Sequence, residues 1–552
     1  MSVQRNSRST CEFRHIVASW RSCHHGTGQR LPAACRPHGG WLGLRRLRAP
    51  LASFVALGAA ACANEQGLLR NQMAQATTPF LTRAARQSVS WQTWSRESFT
   101  LAARLDRPIL LYVGADQCRS CVAMDRETYS NLELGRMIDS LFVPVRVDRD
   151  ERPDVALRYG EAVHVLTGLR GYPLTVFLNS DGSAFFGGTY FPADDPVTGR
   201  GMRQIIPEVA RSFRAQRGFI VRQAALVRQL SLNRQSGAHG VLEPRVVAAN
   251  IDAVRVALAR SAGRSAQLGS FIYQQAATLV LAAPGADSAT LAWSRGLLDR
   301  VADSAEALVA AGEGNEPPSV VRAAMLRNLA IGWSLTKEPR YREAARRMLA
   351  SLVAALEQRD GDAMFADRAG YLIGSVIEAA ATLGDSVAER AGLAALDSVL
   401  TRDYVAGRGV RHQATEPNPI RLLLQDQVQV ASACVAAYGV SGDDWYLRVA
   451  EDLADVLERS FADPMGGYFE SSDVDREMPG WANRAKPIWD DQLPGANAWA
   501  AQLLLRLAEA SGESGYRQRA EATLEAFAGL TPTDQMRAAS YLAVARAILS
   551  PR

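Results

Sequence analysis

Two cysteines three positions apart stand in Gly114-Ala115-Asp116-Gln117-Cys118-Arg119-Ser120-Cys121, a spacing that suits thiol–disulfide chemistry. A thiolate attacks a disulfide sulfur, and a second thiol close by resolves the mixed disulfide that results. The apolar run Pro108 to Val113 ahead of the pair reads as a buried strand, and Val122 to Ile138 behind it has helical character. A strand-to-helix turn puts the first thiol at a helix N-terminus. The partial positive charge there favours thiolate and can bring a cysteine pKa from about 8.5 to between roughly 3.5 and 7.5. Arg119, inside the pair, acts in the same direction. Cys118 is therefore the expected nucleophile and Cys121 the resolving thiol; the alternative is an idle pair kept by packing. Two cysteines do not make a zinc site, so neither metal nor cofactor is expected.

The elements that would position this pair follow in order. Phe142 to Val147, Leu174 to Leu178 and Ala184 to Phe186 read as further strands. An amphipathic helix spans Trp91 to Leu105, and one long helix runs from Met202 to about Leu230. Strands alternating with helices and closing on a hairpin describe a thioredoxin-like α/β domain. In that fold a cis-proline precedes the third strand and its loop faces the bound partner, which gives Tyr172 and Pro173, with Arg119, a partner-binding role. An ordinary trans proline opening a strand is the alternative. The charged run Asp148 to Asp154 reads as a salt-bridged loop, and the lone histidines His164 and His412 as loop or packing residues.

Beyond a linker near Asn233 to Gly240 only helical periodicity remains, in about twelve segments beginning near Arg245, Phe271, Ala286, Ser319, Tyr341, Tyr371, Ser386, Leu422, Asp444, Asn497, Tyr516 and Thr533. A unit of helix, Gly/Asp turn and Tyr-led helix recurs at Tyr341, Tyr446 and Tyr516, at multiples of roughly 35 residues. Six such hairpins can close into an (α/α)6 toroid, with an open helical solenoid as the alternative. Asp426, Asp490, Asp491 and Asn497, with Trp481, Trp489 and Trp499, could line a central cavity; helix caps and core packing are the plainer roles for such residues.

Several stretches together resemble the YyaL-type thioredoxin-domain family, whose animal members are the spermatogenesis-associated thioredoxin-like proteins. They are Val147-Asp148-Arg149-Asp150-Glu151-Arg152-Pro153-Asp154, Leu166-Thr167-Gly168, Gly171 to Leu178 and Gly187 to Pro192. In the helical part the resemblance continues at Asp426, at Gly466-Gly467-Tyr468-Phe469, at Lys486-Pro487-Ile488-Trp489-Asp490 and at Pro494-Gly495-Ala496-Asn497. It implies a multidomain α/β plus all-α chain, a thioredoxin-like domain followed by a six-hairpin toroid similar to N-acylglucosamine 2-epimerases and six-hairpin glycosidases. Where the family carries His-Trp between the cysteines, this chain has Arg119-Ser120. The helix at Ser319 to Asn328 lacks the family's histidine and acid.

The chain has 552 residues, more than one core accommodates, and 47% hydrophobic with 22% charged residues marks it as globular. The net charge of +5 comes largely from the first fifty residues, where Glu12 is the one acid, so no basic stripe speaks for nucleic acid. Arg45 to Arg48, the short apolar stretch Leu51 to Ala61 and then Cys62 read as a signal peptide ending in a bacterial lipobox, with Cys62 lipidated; a plain cleaved signal, or an apolar run in a disordered N-terminus, is the alternative. The expected layout is extension and signal over 1–62, linker over 63–90, thioredoxin-like domain over 91–235 and toroid over 241–552. The expected protein is an exported thiol–disulfide oxidoreductase, periplasmic or anchored to a membrane through lipid alone, acting on protein thiols or disulfides. The runner-up is a carbohydrate-binding or sugar-modifying toroid, with the Asp426, Trp489, Asp490, Asp491 and Asn497 group on a saccharide.

Overall fold

The computed structural model describes residues 69–550, apart from 198, 262–268, 283–287, 311–317, 359–364, 414–421, 473–483 and 531–534. Cys62 and Trp481 lie outside the described residues.

The first helices are α1 (Pro79–Arg83) and α2 (Arg96–Leu105), the latter capped by Ser95, whose side chain accepts from the Ser98 amide. Strand β1 (Ile109–Gly114) follows, then α3 (Arg119–Met124), α4 (Leu132–Leu141), β2 (Val143–Asp148), α5 (Pro153–Thr167), β3 (Leu174–Leu178) and β4 (Ala184–Gly188). The sheet order is β2-β1-β3-β4, with β1 parallel to β2 and the other pairs antiparallel. Side chains alternate across the central strand. Ile109, Leu111 and Val113 join a cluster with Phe99, Val155 and Tyr159; Leu110 and Tyr112 join another with Trp91, Ile138 and Ile206. Helices cover both faces, which is why β1 is apolar throughout rather than alternating. One long helix was expected from Met202; instead the chain turns at Gln216 (φ −125°, ψ 35°), giving α6 (Met202–Ala215) and α7 (Arg217–Gln235).

The C-terminal ends of β1 and β2 and the start of β3 lie together. Gly114 pairs with Asp148, and Val113 with Leu174, so Pro173 comes next to Gly114. The dithiol turn, the Asp148–Asp154 loop and the Tyr172-Pro173 loop therefore leave the sheet at one end.

Among the described residues twelve α-helices follow: α8 (Pro244–Ser261), α9 (Phe271–Leu281), α10 (Ser288–Ala310), α11 (Ser319–Thr336), α12 (Pro339–Gln358), α13 (Ala366–Leu383), α14 (Ser386–Asp403), α15 (Leu424–Ser441), α16 (Asp444–Ser460), α17 (Ala496–Ser511), α18 (Ser514–Glu525) and α19 (Ala539–Leu549). Alternate members α9, α11, α13, α15, α17 and α19 each pack on the next, and α19 returns to α9. That closure makes the region an (α/α)6 toroid rather than an open solenoid. Inner helices are buried on every side, as Tyr371 to Ile377 are in α13. The outer α16 buries only Tyr446, Val449, Ala450, Leu453, Ala454, Val456 and Leu457, one stripe at helical spacing. The recurring tyrosines tie outer helices together: Tyr341 on α12 donates to Asp299 on α10 at 2.9 Å, and Tyr446 on α16 to Asp397 on α14 at 2.8 Å. A two-residue hairpin, β5 (Tyr404–Val405) with β6 (Gly409–Val410), interrupts the region where no strand was expected.

Helices α13 and α15 approach closely through Gly370 and Gly374. A Cβ on Gly370 would lie 2.7 Å from the Gln429 carbonyl carbon, whereas one on Gly374 would meet Ala433 at an ordinary 3.5 Å. Gly370→Ala is expected to destabilise the protein by about 1–3 kcal/mol through overpacking, and Gly374→Ala to be neutral or stabilising, as helix propensity favours Ala. Urea unfolding of the two variants checks the contrast; equal losses would contradict it.

Candidate functional site

Cys118 and Cys121 are joined, with S–S 2.08 Å and Cα atoms 5.1 Å apart. Cys118 is half-buried and caps α3, its sulfur accepting from the Cys121 amide at 3.1 Å, while Cys121 is fully buried. Arg119 is exposed beside them. Tyr112 donates to the Cys121 carbonyl at 3.2 Å, and a Cβ on Gly114 would stand 3.1 Å from the Cys121 sulfur, so the strand end packs directly against the pair. A π turn over Asp125–Tyr129 continues α3 and is anchored from below. There the buried Arg146 guanidinium grips Asp125 with two bonds of 2.7 Å and lies 3.9 Å over the Phe80 ring. The peptide bond between Tyr172 and Pro173 is cis. Tyr172 packs against the same apolar cluster as Cys118.

The Asp148–Asp154 loop is built of charges, as its alternating signs foretold. Asp148 accepts from the Asp150 amide at 2.9 Å, Arg149 pairs with Asp150 at 2.6 Å, and Arg152 with Asp154 at 2.9 Å. Its cation also reaches outward, Arg149 lying 4.9 Å over the Tyr172 ring. Asp150 crosses to the toroid, where Arg368 at the start of α13 donates to it at 2.5 Å. Burial works against the charged carboxylate, but the two guanidiniums win and hold Asp150 below the usual range.

His412 is the second link. Its Nε2 donates to the Asp150 carbonyl and its Nδ1 to Asp426, both at 2.8 Å, and Phe365 stacks on the ring at 4.9 Å. Burial disfavours the imidazolium, yet the adjacent Asp426 and the nearby Asp367 outweigh it and lift the pKa to about 10. This histidine, read from the sequence as a loop or packing residue, is an ionic bridge between the two parts. Asp367, His412 and Asp426 each place a ligand-type atom within 4.8 Å of the others, which is within reach of a metal. Both imidazole nitrogens already have partners, one of them Asp426 Oδ1, while the buried Asp426 Oδ2 has none among the described residues.

The acids and amides expected to line a cavity divide. Asp490 accepts from the Gly495 and Ser540 amides at 2.8 and 3.0 Å, stapling a loop to the start of α19. Asn497 holds Tyr468 through its amide and carbonyl at 2.7 and 2.9 Å. Asp426 belongs to the bridge. Trp489 and the half-exposed Asp491, which has Arg537 at 3.5 Å, line a cleft together with Tyr172. Deeper in the toroid, Glu378 sits between Arg327 and Arg506 at 2.8 and 2.7 Å, and Tyr371 packs 6.1 Å from Trp499. Arg327 comes from the helix that lacks the family's histidine and acid. His164 is half-buried on α5, and Cys434 is buried, its thiol pushed far above its usual range.

Residues 70–231 match the family model Thioredox_DsbH, described as a protein of unknown function, DUF255. A human protein, spermatogenesis-associated protein 20, is 33% identical over 164 residues, 30% of this chain and 21% of its own length. An uncharacterized Caenorhabditis elegans protein, B0495.5, is 38% identical over 126 residues, 23% of this chain and 17% of its own. The match thus spans about a fifth of these relatives. Among solved structures, the chain is similar to an unsaturated glucuronyl hydrolase specific for heparin (TM-score 0.42, 11% identity, 55% of this chain and 96% of that one). It is also similar to the GH76A alpha-1,6-mannanase of Salegentibacter sp. HEL1_6 (TM-score 0.34, 15% identity, 43% of this chain and 72% of that one).

A group with a higher pKa folded than unfolded stabilises while protonated. For His412 that contribution is complete below the ordinary imidazole value of about 6.5 and disappears as pH passes through about 10. His412→Gln is expected to lose about 3 kcal/mol at pH 6.5, with the gap to wild type closing towards pH 10. Urea unfolding across that range measures it; a gap independent of pH would rule out the ionic bridge.

Proposed function

We propose that the chain is a thiol–disulfide oxidoreductase whose dithiol is Cys118 and Cys121, with the toroid serving partner or ligand binding. The observation that carries this reading is the placement of the pair: Cys118 half-buried at the N-terminus of α3, Cys121 covered behind it, beside the Tyr172-Pro173 loop. In the reduced state the Cys118 thiolate attacks one sulfur of a partner disulfide, forming a mixed disulfide and releasing the other partner sulfur as a thiolate that takes up a proton. Cys121, losing its proton, attacks the Cys118 sulfur, forms the Cys118–Cys121 bond and releases the second partner thiol. Two electrons pass to the partner, and the oxidised pair returns by the reverse exchange with a dithiol.

The saccharide reading takes second place. It retains Trp489 and Asp491 at the cleft, whereas Asp490 and Asn497 spend their polar atoms on backbone. Export and lipidation at Cys62 belong to the same proposal and rest on residues 45–62. An oxidising compartment is where a dithiol of this kind can cycle against secreted partners. The relatives reported above are animal proteins, so the lipobox is argued from this chain alone.

Reduction of insulin disulfides with dithiothreitol as electron source tests the redox reading. Cys118→Ser is expected to abolish turnover, and Cys121→Ser to accumulate a mixed disulfide seen by mass spectrometry of the intact adduct. Wild-type turnover no faster than dithiothreitol alone, with no trapped adduct, would sink it. Cys62→Ala is expected to move the expressed protein from the membrane to the soluble extracytoplasmic fraction. An unchanged distribution counts against the anchor.

A further inference from the structure

Where the Asp148–Asp154 loop meets the toroid, a cleft of about 130 Å³ opens. Tyr172, Pro153 and Leu157 line it from the thioredoxin-like side, and Leu424, Trp489 and Leu493 from the toroid. An apolar cavity on the order of 150 Å³ holds one benzene ring, so this cleft has room for one bulky side chain. Of the ionic residues that line it, Arg149 and Arg368 are both paired with Asp150.

Glu470 also lines the cleft and differs from them. It is 7% exposed, and its Oε2 has no hydrogen-bond partner among the described residues. Burial, with Asp154 adding to it, lifts its pKa to about 8 against the pull of Arg158 and Arg484. Burial thus favours its protonated form at neutral pH, and Oε2 then has no acceptor among the described residues. Buried polar groups without partners are rare, and this one belongs to a residue that lines the cleft.

The cleft adjoins the dithiol through Tyr172. Its neighbour Pro173 stands next to Gly114 in the sheet, and Gly114 packs against the Cys121 sulfur. We propose that this cleft is the side-chain subsite of the dithiol centre. It takes one bulky apolar side chain of the disulfide-bearing polypeptide, and the Glu470 carboxyl donates to a peptide carbonyl beside it. The inference rests on the redox reading above and adds its substrate class. A saccharide fits less well, because its hydroxyls would meet mostly apolar walls and lose hydrogen bonds on entry.

Two families of short peptides with an intramolecular disulfide test it, identical except for Phe or Ser at successive offsets from one cysteine, alongside hydroxyethyl disulfide. At one offset the Phe peptide is expected to have a KM about tenfold below its Ser counterpart. Trp489→Ala is expected to bring that ratio to near one, and Glu470→Leu to raise the KM of both peptides together, since the carbonyl it serves is common to both. The ratio is internal to each variant, so a general loss of activity leaves it readable. Glu470→Gln, which keeps a neutral donor, is expected to preserve the ratio and to remove the rise in peptide KM expected of wild type above about pH 8. Reduction of hydroxyethyl disulfide with no Phe preference at any offset overturns the subsite and leaves the redox reading intact. Cysteine-free Phe and Ser peptides, titrated calorimetrically, test the subsite without turnover. Equal binding overturns it, as does a thermal shift from a saccharide panel that depends on Trp489 without any peptide preference.

Discussion

A carboxylate removed from water must find cations, and Asp150 finds one on each side of a junction. Arg149 comes from its own loop and Arg368 from the start of an inner toroid helix, while its backbone carbonyl accepts from the protonated His412. Desolvating such ions costs several kcal/mol each, and only short, well-directed contacts offset it. The two bonds across this junction, 2.5 Å from Arg368 and 2.8 Å from His412, are of that kind. The group is satisfied only when loop and toroid stand in one arrangement, because moving either leaves a buried charge without its partner. The interaction is therefore a positional lock more than a reservoir of stability.

What it positions is set by the sheet. Asp150 lies just beyond β2, whose end is paired with the end of β1, where the dithiol turn begins, and the Arg149 amide donates to the Gly114 carbonyl at 2.7 Å. Locking the loop to the toroid thus fixes the dithiol end of the thioredoxin-like sheet against that module. On the inner helices Arg327, Glu378, Arg506, Tyr371 and Trp499 pack together. Open volume lies at the junction, and the residues bordering it come from both modules.

Much of this was legible from the chain. The cysteine pair, the four strands and the starts of the toroid helices follow from apolar periodicity and turn residues, which are local signals. The repeating tyrosines pointed to a hairpin period, though not to the aspartates on neighbouring outer helices that they bind. What stayed hidden depends on partners far apart in sequence. Arg368 is 218 positions from Asp150, and His412 is 262 from it. Nothing local distinguishes a histidine in an ionic bridge from one in a loop. Asp490 and Asn497 had the right types for a ligand site, yet only their bonds to backbone amides and carbonyls reveal them as loop staples. Glu470 stood in the quoted Gly-Gly-Tyr-Phe segment's next position without a signal, because its neutral state is a product of burial.

The two modules are therefore held by different physics. Within the toroid one contiguous apolar core spans all twelve helices, and such packing is non-directional, so it tolerates small rearrangements while keeping its stability. The junction depends on a few directional contacts. Replacing its ions with well-packed apolar residues could preserve stability, as buried ion pairs often permit, but would remove the angular demand that Arg149, Arg368 and His412 impose. Tyr172 is held by that demand, since Arg149 stacks on its ring while bonded to Asp150. The separation of Tyr172 from Trp489 across the cleft is thus a consequence of charge geometry, which apolar burial alone could not have set.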